Sequence, residues 1–108
     1  RRRDNYVPDL CKFRGLTLNR STYELQFEKE KRALSGREFQ IMEMLMERPN
    51  FIIPIDDFMS HVWGWESDVD VSVIWVHISN IRKKLVSMKA KVEIRFIRGA
   101  GYKLEEIQ

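Results

Sequence analysis

The chain has 108 residues, of which 44% are hydrophobic and 32% are charged, and its formal net charge is +3. This length and composition are typical of one soluble globular domain that builds its own core. Cys11 is the only cysteine, which excludes an internal disulfide and is consistent with a reducing compartment. No apolar run approaches the roughly 20 residues of a membrane span, and residues 1–5 lack an apolar stretch typical of a signal peptide.

The charge is unevenly distributed along the chain. Residues 80–104 carry eight basic residues and one acidic residue, Glu93, so this segment has a net charge of +7 while the remainder has −4. A basic segment on an otherwise acidic domain predicts a surface that faces a polyanion. An ordinary solvated charged face is the alternative, and charge alone does not decide between them.

The N-terminal part of the sequence predicts a linker followed by short strands. Residues 1–9 are charged, contain Pro8 and lack periodicity, so we predict a linker there and one domain over residues 10–108. Strand-like runs follow at residues 10–13, 16–18, 23–27 and 31–34. Polar or glycine-containing turns separate these runs, which predicts an antiparallel meander.

Two helices are predicted next. Ser35 and Glu38 form the Ser-x-x-Glu pattern of a capping box, which indicates a helix start, and Pro49 cannot continue that helix. A wide apolar arc on this helix predicts burial on more than one side. The second helix is predicted to begin near Pro54 and to end at Gly64. Residues 65–71 then form a polar, acidic loop.

The third helix is predicted over about residues 72–88. Its core face repeats with helical spacing and consists of Ile74, Ile78, Ile81 and Leu85. The opposite face carries Ser72, Val76, Ser79, Asn80 and Lys83, with Val73, His77 and Lys84 on one flank. Trp75 and Arg82 lie on the other flank. We expect Trp75 to pack under the loop that precedes the helix, and we interpret Trp63 as a core residue.

The chain ends in a predicted hairpin. Strands at about residues 92–98 and 102–105 flank the Gly99-Ala100-Gly101 turn, where glycine supplies backbone angles that other residues avoid. The order of strands, three helices and hairpin predicts an α+β winged helix-turn-helix fold with an N-terminal antiparallel sheet and a C-terminal β-hairpin wing.

No arrangement of residues indicates catalysis. His61 and His77 lie in different predicted helices, and no cysteine or carboxylate cluster stands at metal-ligand spacing. The Gly99-x-Gly101 pair lacks the following helix and Lys-Ser/Thr of a phosphate-binding loop. The serines offer no nucleophile constellation. We therefore predict that the domain is not an enzyme and needs no metal or cofactor.

Four sequence blocks carry a family resemblance. Residues 34–39, Leu-Ser-Gly-Arg-Glu-Phe, resemble the Leu-Thr-x-x-Glu-Phe of the OmpR/PhoB effector domains, and residues 62–64 match their Val-Trp-Gly. Residues 76–85 resemble Val-His-Ile-x-Arg-Leu-Arg-Lys-Lys-Leu, and residues 97–102 resemble Val-Arg-Gly-x-Gly-Tyr. The four blocks occur in the family's order over residues 10–105, so the chain resembles the DNA-binding domain of a bacterial two-component response regulator.

The resemblance implies duplex DNA as the partner, with the third helix in the major groove and the wing in a minor groove. Candidate base-facing residues are Ser72, Val73, Val76, Ser79 and Asn80. Candidate phosphate contacts are His77, Arg82, Lys83 and Lys84. In the wing, the candidates are Arg98, which would enter a narrow A·T-rich groove, with Gly99 and Lys103.

Each of these candidates also has a structural interpretation. His77 could be a packing residue, the basic residues at positions 82–84 could be a solvated helix end, and Arg98 could be an exposed hairpin charge. Val73 and Val76 could contact thymine methyl groups, or they could lie in a dimer contact.

The sequence departs from the family at positions that matter for DNA recognition. Residues 72–75 are Ser-Val-Ile-Trp where the family often has Arg-Thr-Val-Asp, and Asn80 replaces an arginine. Pro54 replaces the family's serine cap. We expect these changes to leave the fold intact. We expect the target DNA sequence to differ from those of the relatives, and the isolated domain to bind DNA weakly.

The resemblance also implies partners beyond DNA. An upstream receiver domain, absent from this chain, would answer a sensor histidine kinase in a cytoplasmic phosphorelay. We expect the isolated domain to be monomeric and to pair in tandem only on direct-repeat promoter sites. A loop between the second and third helices would contact RNA polymerase through Trp65, Glu66, Ser67, Asp68, Val69, Asp70 and Val71. The alternative function is a polymerase-binding module with little DNA readout.

Overall fold

The computed structural model describes residues 9–64 and 68–107 of the chain. The predicted linker lies outside the described residues except for Asp9, and so do Trp65, Glu66 and Ser67 of the predicted polymerase loop.

The first four strands form the predicted antiparallel meander. β1 (Leu10–Phe13), β2 (Leu16–Asn19), β3 (Glu24–Phe27) and β4 (Glu30–Ala33) pair in chain order. Tyr23 was predicted to begin the third strand, but it lies in the β2–β3 turn with φ 59°. Its ring stacks on Phe39 at a centroid distance of 3.9 Å.

Arg20 ties the beginning of the domain to the first helix. Its Nη1 donates to Asp9 Oδ1 at 2.9 Å, its Nε to Glu43 Oε2 at 2.7 Å and its Nη2 to Glu47 Oε2 at 3.1 Å. The hydrogen bond to Glu43 is the main reason that the pKa of Arg20 is raised. This network fixes where the chain enters the fold.

Helix α1 spans Gly36–Glu47, and its start confirms the predicted capping box. Glu38 N–H donates to Ser35 Oγ at 3.2 Å, and Ser35 N–H donates back to Glu38 Oε1 at 2.9 Å. The predicted wide apolar arc is buried, and it consists of Phe39, Ile41, Met42, Leu45 and Met46.

The second helix begins and ends near the predicted residues but is not regular. α2 (Ile55–Phe58) follows Pro54 and continues as a π-helical turn over Met59–Trp63. Gly64, with φ 89°, ends the turn, and its N–H donates to Met59 O at 3.0 Å. The π-helical turn was not predicted.

Helix α3 spans Ser72–Ser87, close to its predicted bounds. The four predicted core residues are the four that it buries. The interpretation of Trp75 as a residue packed under the preceding loop is wrong, because 59% of this side chain is exposed.

The C-terminal hairpin consists of β5 (Val92–Ile97) and β6 (Gly101–Glu106). An isolated bridge joins β6 to the segment before α2: Ile53 N–H donates to Tyr102 O at 2.8 Å, and Tyr102 N–H donates to Ile53 O at 3.1 Å. A Cβ on Gly101 would lie 2.0 Å from Ile53 O, so only glycine fits at this crossing. The bridge fixes the wing to the helix-turn-helix.

One hydrophobic core joins the N-terminal sheet, the helices and the hairpin. The architecture is the predicted winged-helix fold: a four-stranded antiparallel sheet, three helices and a β-hairpin wing. Among the described helices, none is long and apolar enough to cross a membrane.

Candidate nucleic-acid interface

Helix α3 presents its non-core face outward. Ser72, Val76 and Asn80 recur at intervals of four residues and are all exposed. Lys83 continues this row and is also exposed, while Val73 and Ser79 beside it are half-buried. The structure therefore brings the predicted base-facing residues together on one side of one helix.

Asp70 secures the first turn of α3. Ser72 N–H donates to Asp70 Oδ1 at 2.9 Å, and Val73 N–H donates to Asp70 O at 3.0 Å. The hydrogen bond from the Ser72 backbone, aided by one from its side chain, lowers the pKa of Asp70. A carboxylate that accepts from the first N–H groups stabilises the helix start. Asp70, a residue of the predicted polymerase loop, thus holds the first turn of α3.

Arg82 connects α3 to the wing. Its Nε and Nη2 both donate to Ile94 O, at 3.0 and 2.9 Å. The guanidinium carbon also lies 5.8 Å from the centroid of the Tyr102 ring. The side chain that the resemblance assigned to a phosphate therefore holds β5 against the helix.

Lys84 is directed toward the first helix. Its Nζ donates to Glu38 Oε1 at 2.7 Å and to Ala33 O at 2.8 Å. Burial alone would raise the pKa of Glu38, but hydrogen bonds from the Lys84 ammonium and the Ser35 N–H outweigh it and lower that pKa. Glu38 is only 5% exposed, so the ion pair lies at the edge of the core.

His77 lies on the same flank of α3 and is half-buried. Its ring centroid is 5.6 Å from that of Trp63, which packs against the core as interpreted. Arg37 lies 5.1 Å from the Trp63 ring centroid and donates to Val62 O. Within the described part of the chain, His77 Nδ1 is buried without a hydrogen-bond partner. Packing holds this ring at the edge of the candidate interface.

The wing places one candidate arginine at its tip. Arg98 and Gly99 are exposed in the turn between β5 and β6, and Gly99 has φ 78°. Lys103 is half-buried and lies 3.1 Å from Glu105 Oε1, where its hydrogen bond is the main cause of a lowered Glu105 pKa. Arg98 therefore lies exposed in the turn at the tip of the wing.

Two aromatic residues near this surface were not predicted as contacts. Trp75 is exposed on α3, and 48% of Phe96 is exposed on β5, where its ring lies 5.2 Å from that of Tyr102. Two features of the sequence could have indicated these contacts. Trp75 lies on a flank of the predicted helix, and Phe96 lies close to the glycine turn.

The structure also bears on a metal site and on the predicted polymerase loop. Among residues 9–64 and 68–107, no group of three histidine, cysteine or carboxylate side chains could hold a metal ion. In the described part of the loop before α3, Asp68, Asp70 and Val71 are exposed and Val69 is half-buried. A role for this loop in binding polymerase stays a prediction.

The comparison with protein families identifies the class. Residues 29–104 match the family described as "Transcriptional regulatory protein, C terminal". The chain belongs to this family, as a winged-helix DNA-binding output domain of the OmpR/PhoB response-regulator type. The family comprises transcription regulators and not enzymes.

Individual relatives agree with this class. The heme response regulator HssR of Staphylococcus aureus is 37% identical over 91 residues, which are 84% of this chain and 41% of HssR. The chain thus spans less than half the length of the curated relatives that it matches.

Solved structures show the same fold. The DNA-binding domain of CpxR from E. coli is 25% identical with a TM-score of 0.76, over 93% of this chain and 99% of that one. The DNA-binding domain of Klebsiella pneumoniae RstA, solved in complex with the RstA box, is 26% identical with a TM-score of 0.74. That match covers 89% of this chain and 96% of the RstA chain.

Proposed function

We propose that the domain binds duplex DNA sequence-specifically, with the N-terminal half of α3 in the major groove and the wing tip in an adjacent minor groove. The observation that carries this proposal is the exposed row of Ser72, Val76 and Asn80 on a helix that is otherwise held by its core face. A major groove about 12 Å wide admits such a helix.

We assign base recognition to the exposed row of Ser72, Val76 and Asn80 and to the neighbouring Val73 and Ser79. The carboxamide of Asn80 can donate to and accept from the edge of adenine, which is the geometry of a bidentate contact. Val73 and Val76 suit thymine methyl groups, while Ser72 and Ser79 can donate or accept. The preferred site should therefore contain A·T pairs opposite the centre of the helix.

Phosphate contacts are proposed for Lys83 and Arg98, which are exposed, and for His77, whose ring is half-buried beside Trp63. Lys83 lies at the end of the exposed row and His77 on its flank. Arg98 is exposed at the wing tip and would enter a narrow minor groove. Arg82 and Lys84 were candidates too, but their hydrogen bonds to Ile94 and Glu38 favour a bracing role.

Selection from a random duplex library tests the specificity. The wild-type chain should enrich one motif. Asn80→Ala should lose the base preference at one or two adjacent positions of that motif, where discrimination against the wrong base pair should fall by about 1–3 kcal/mol. Lys29→Ala removes an exposed cation in the β3–β4 turn, outside the candidate interface, and as a control it should enrich the wild-type motif. Enrichment of no motif by the wild-type chain would refute sequence-specific binding.

The larger protein would be a cytoplasmic response regulator. We propose that an upstream receiver domain, phosphorylated from a sensor histidine kinase, brings two copies together on direct-repeat sites. The Gly99 backbone and Lys103 would lie beside the minor groove that Arg98 enters. These proposals rest on the family to which the chain belongs.

A second candidate function is RNA polymerase contact, favoured by the exposed carboxylates of Asp68 and Asp70. The double variant Lys83→Ala/Arg98→Ala separates it from DNA binding. If DNA binding is the main function, this variant loses promoter binding and keeps any polymerase contact. Retention of promoter binding would favour the interaction module instead.

A further inference from the structure

Helix α3 and strand β5 of the wing line a cleft, and Arg82, Val86 and Ile94 are among its lining residues. Arg82 contacts Ile94 and Tyr102, so the flank of α3 that carries Arg82 faces the hairpin. Ala90 N–H donates to Leu85 O, which places the start of β5 beside the C-terminal end of α3. β5 therefore runs from the C-terminal end of the helix toward its N-terminal end.

Trp75 lies on the same flank as Arg82, because seven residues make two helical turns. It is about 10 Å nearer the N-terminus of the helix at 1.5 Å per residue. Phe96 lies two residues beyond Ile94 on β5, about 7 Å further in the same direction at the rise of a β-strand. From these positions we infer that the two exposed rings flank the extension of this cleft toward the helix N-terminus, with Trp75 on the helix and Phe96 on β5.

We propose that Trp75 and Phe96 pack against deoxyribose rings of the DNA strand that crosses this cleft. This inference rests on the proposed function: if α3 enters the major groove and Arg98 the minor groove, the sugar–phosphate strand between those grooves passes over the space between helix and wing. Deoxyribose presents an apolar C–H surface, and the indole Nε1–H can donate to a phosphate oxygen. The rings bind the backbone and not the base edges.

The exposure of these two aromatic rings supports a DNA strand as the binding partner of this surface. Trp75 at 59% and Phe96 at 48% exposed are large apolar side chains left in water beside the basic segment of the chain. Arg98 at the tip and Lys83 on the helix carry positive charge near this part of the surface, which suits a polyanionic strand. The family often has an aspartate at the position of Trp75, so the aromatic side chain at this position is a departure of this chain from its family.

Affinity measurements on two duplexes test the proposal. Trp75→Ala should weaken binding about 5- to 30-fold, by a similar factor on the selected duplex and on a scrambled one, without changing the salt slope. Val86→Ala is the matched control, because Val86 is exposed on the same flank about 16 Å toward the helix C-terminus and beside the start of β5. It should bind like wild type.

Hydroxyl-radical footprinting reads the sugars directly. Wild type should protect a few consecutive deoxyriboses between the major-groove and minor-groove contacts, and Trp75→Ala/Phe96→Ala should lose that protection while keeping the flanking protection. If wild type binds no duplex, the proposed function and this inference both fall. This inference alone is overturned if wild type binds and Trp75→Ala keeps full affinity or loses affinity only for the selected duplex. It is also overturned if the double variant keeps the full footprint. Circular dichroism verifies that the variants fold.

Discussion

Lys84 Nζ lies 2.7 Å from Glu38 Oε1, and that carboxylate also accepts the N–H of Ser35. One nearly buried carboxylate therefore joins the cap of α1 to helix α3. A further hydrogen bond from Lys84 to Ala33 O includes the end of the sheet in the same network. This ion pair joins α1 and α3 across 46 positions of the sequence.

Removing the lysine should destabilise the fold. Lys84→Met leaves Glu38 buried without its cation, and we expect the free energy of unfolding to fall by about 1–3 kcal/mol. Lys83→Met removes an exposed charge of the same helix and should change that free energy by no more than about 0.5 kcal/mol. Urea denaturation measures both variants, and equal small effects would contradict the bracing role.

The same pair predicts a pH dependence. Burial opposes ionisation of Glu38, but its hydrogen bonds from Lys84 and Ser35 keep its pKa in the folded state below the ordinary value. The stability that it contributes is complete above the unfolded-state pKa of about 4.3 and is lost as the pH falls through the lower folded-state pKa.

Glu38→Gln does not titrate, so the stability difference between wild type and this variant should shrink as the pH is lowered from 6 to 3, a range set by those pKa values. Urea midpoints across this range measure the difference. A difference that stays constant with pH would show that the carboxylate does not carry the effect.

Gly101 should not tolerate a side chain. Its Cβ would lie 2.0 Å from Ile53 O, so Gly101→Ala must break the bridge between the wing and the segment before α2. We expect a loss of about 1–3 kcal/mol in thermal or urea unfolding. The control is Gly36→Ala at the start of α1, where no described atom lies within 4 Å of the added Cβ. This change should be neutral or stabilising, and similar losses for both would argue against the crossing.

The domain by itself should be a monomer. Val76 and the neighbouring Trp75 are exposed and Val73 is half-buried, but these three side chains make too small a patch for a stable dimer, which usually buries about 800 Å² per partner. Sedimentation velocity at micromolar concentration should show one species of 13.0 kDa. A dominant dimer without DNA would refute this prediction.

The regular elements and the core were predictable because they depend on local pattern. The stripe of Ile74, Ile78, Ile81 and Leu85 has a helical period, and the Ser35–Glu38 capping box lies within four residues. Both features can be found from neighbouring positions alone.

The internal roles of the basic side chains were not predictable. Lys83 and Lys84 are adjacent and chemically alike, yet Lys83 is exposed and Lys84 contacts a carboxylate that is remote in sequence. The resemblance assigned Arg82 to a phosphate. Its partner in the structure, Ile94 O, is a backbone atom, so no side-chain pattern in the sequence indicated this contact. The π-helical turn before Gly64 differs from an α-helix by one residue in the hydrogen-bond register, which side-chain periodicity does not encode.

The most direct test of the central proposal is the salt dependence of duplex binding. Fluorescence anisotropy with the selected duplex should show log K falling linearly with log salt concentration, by about 0.9 for each phosphate contacted. Lys83→Ala should reduce that slope by about 1, and Lys29→Ala should leave it unchanged. Binding that does not vary with salt, or no binding to any duplex at low salt, would contradict the proposal that this winged-helix domain recognises DNA through α3 and its wing.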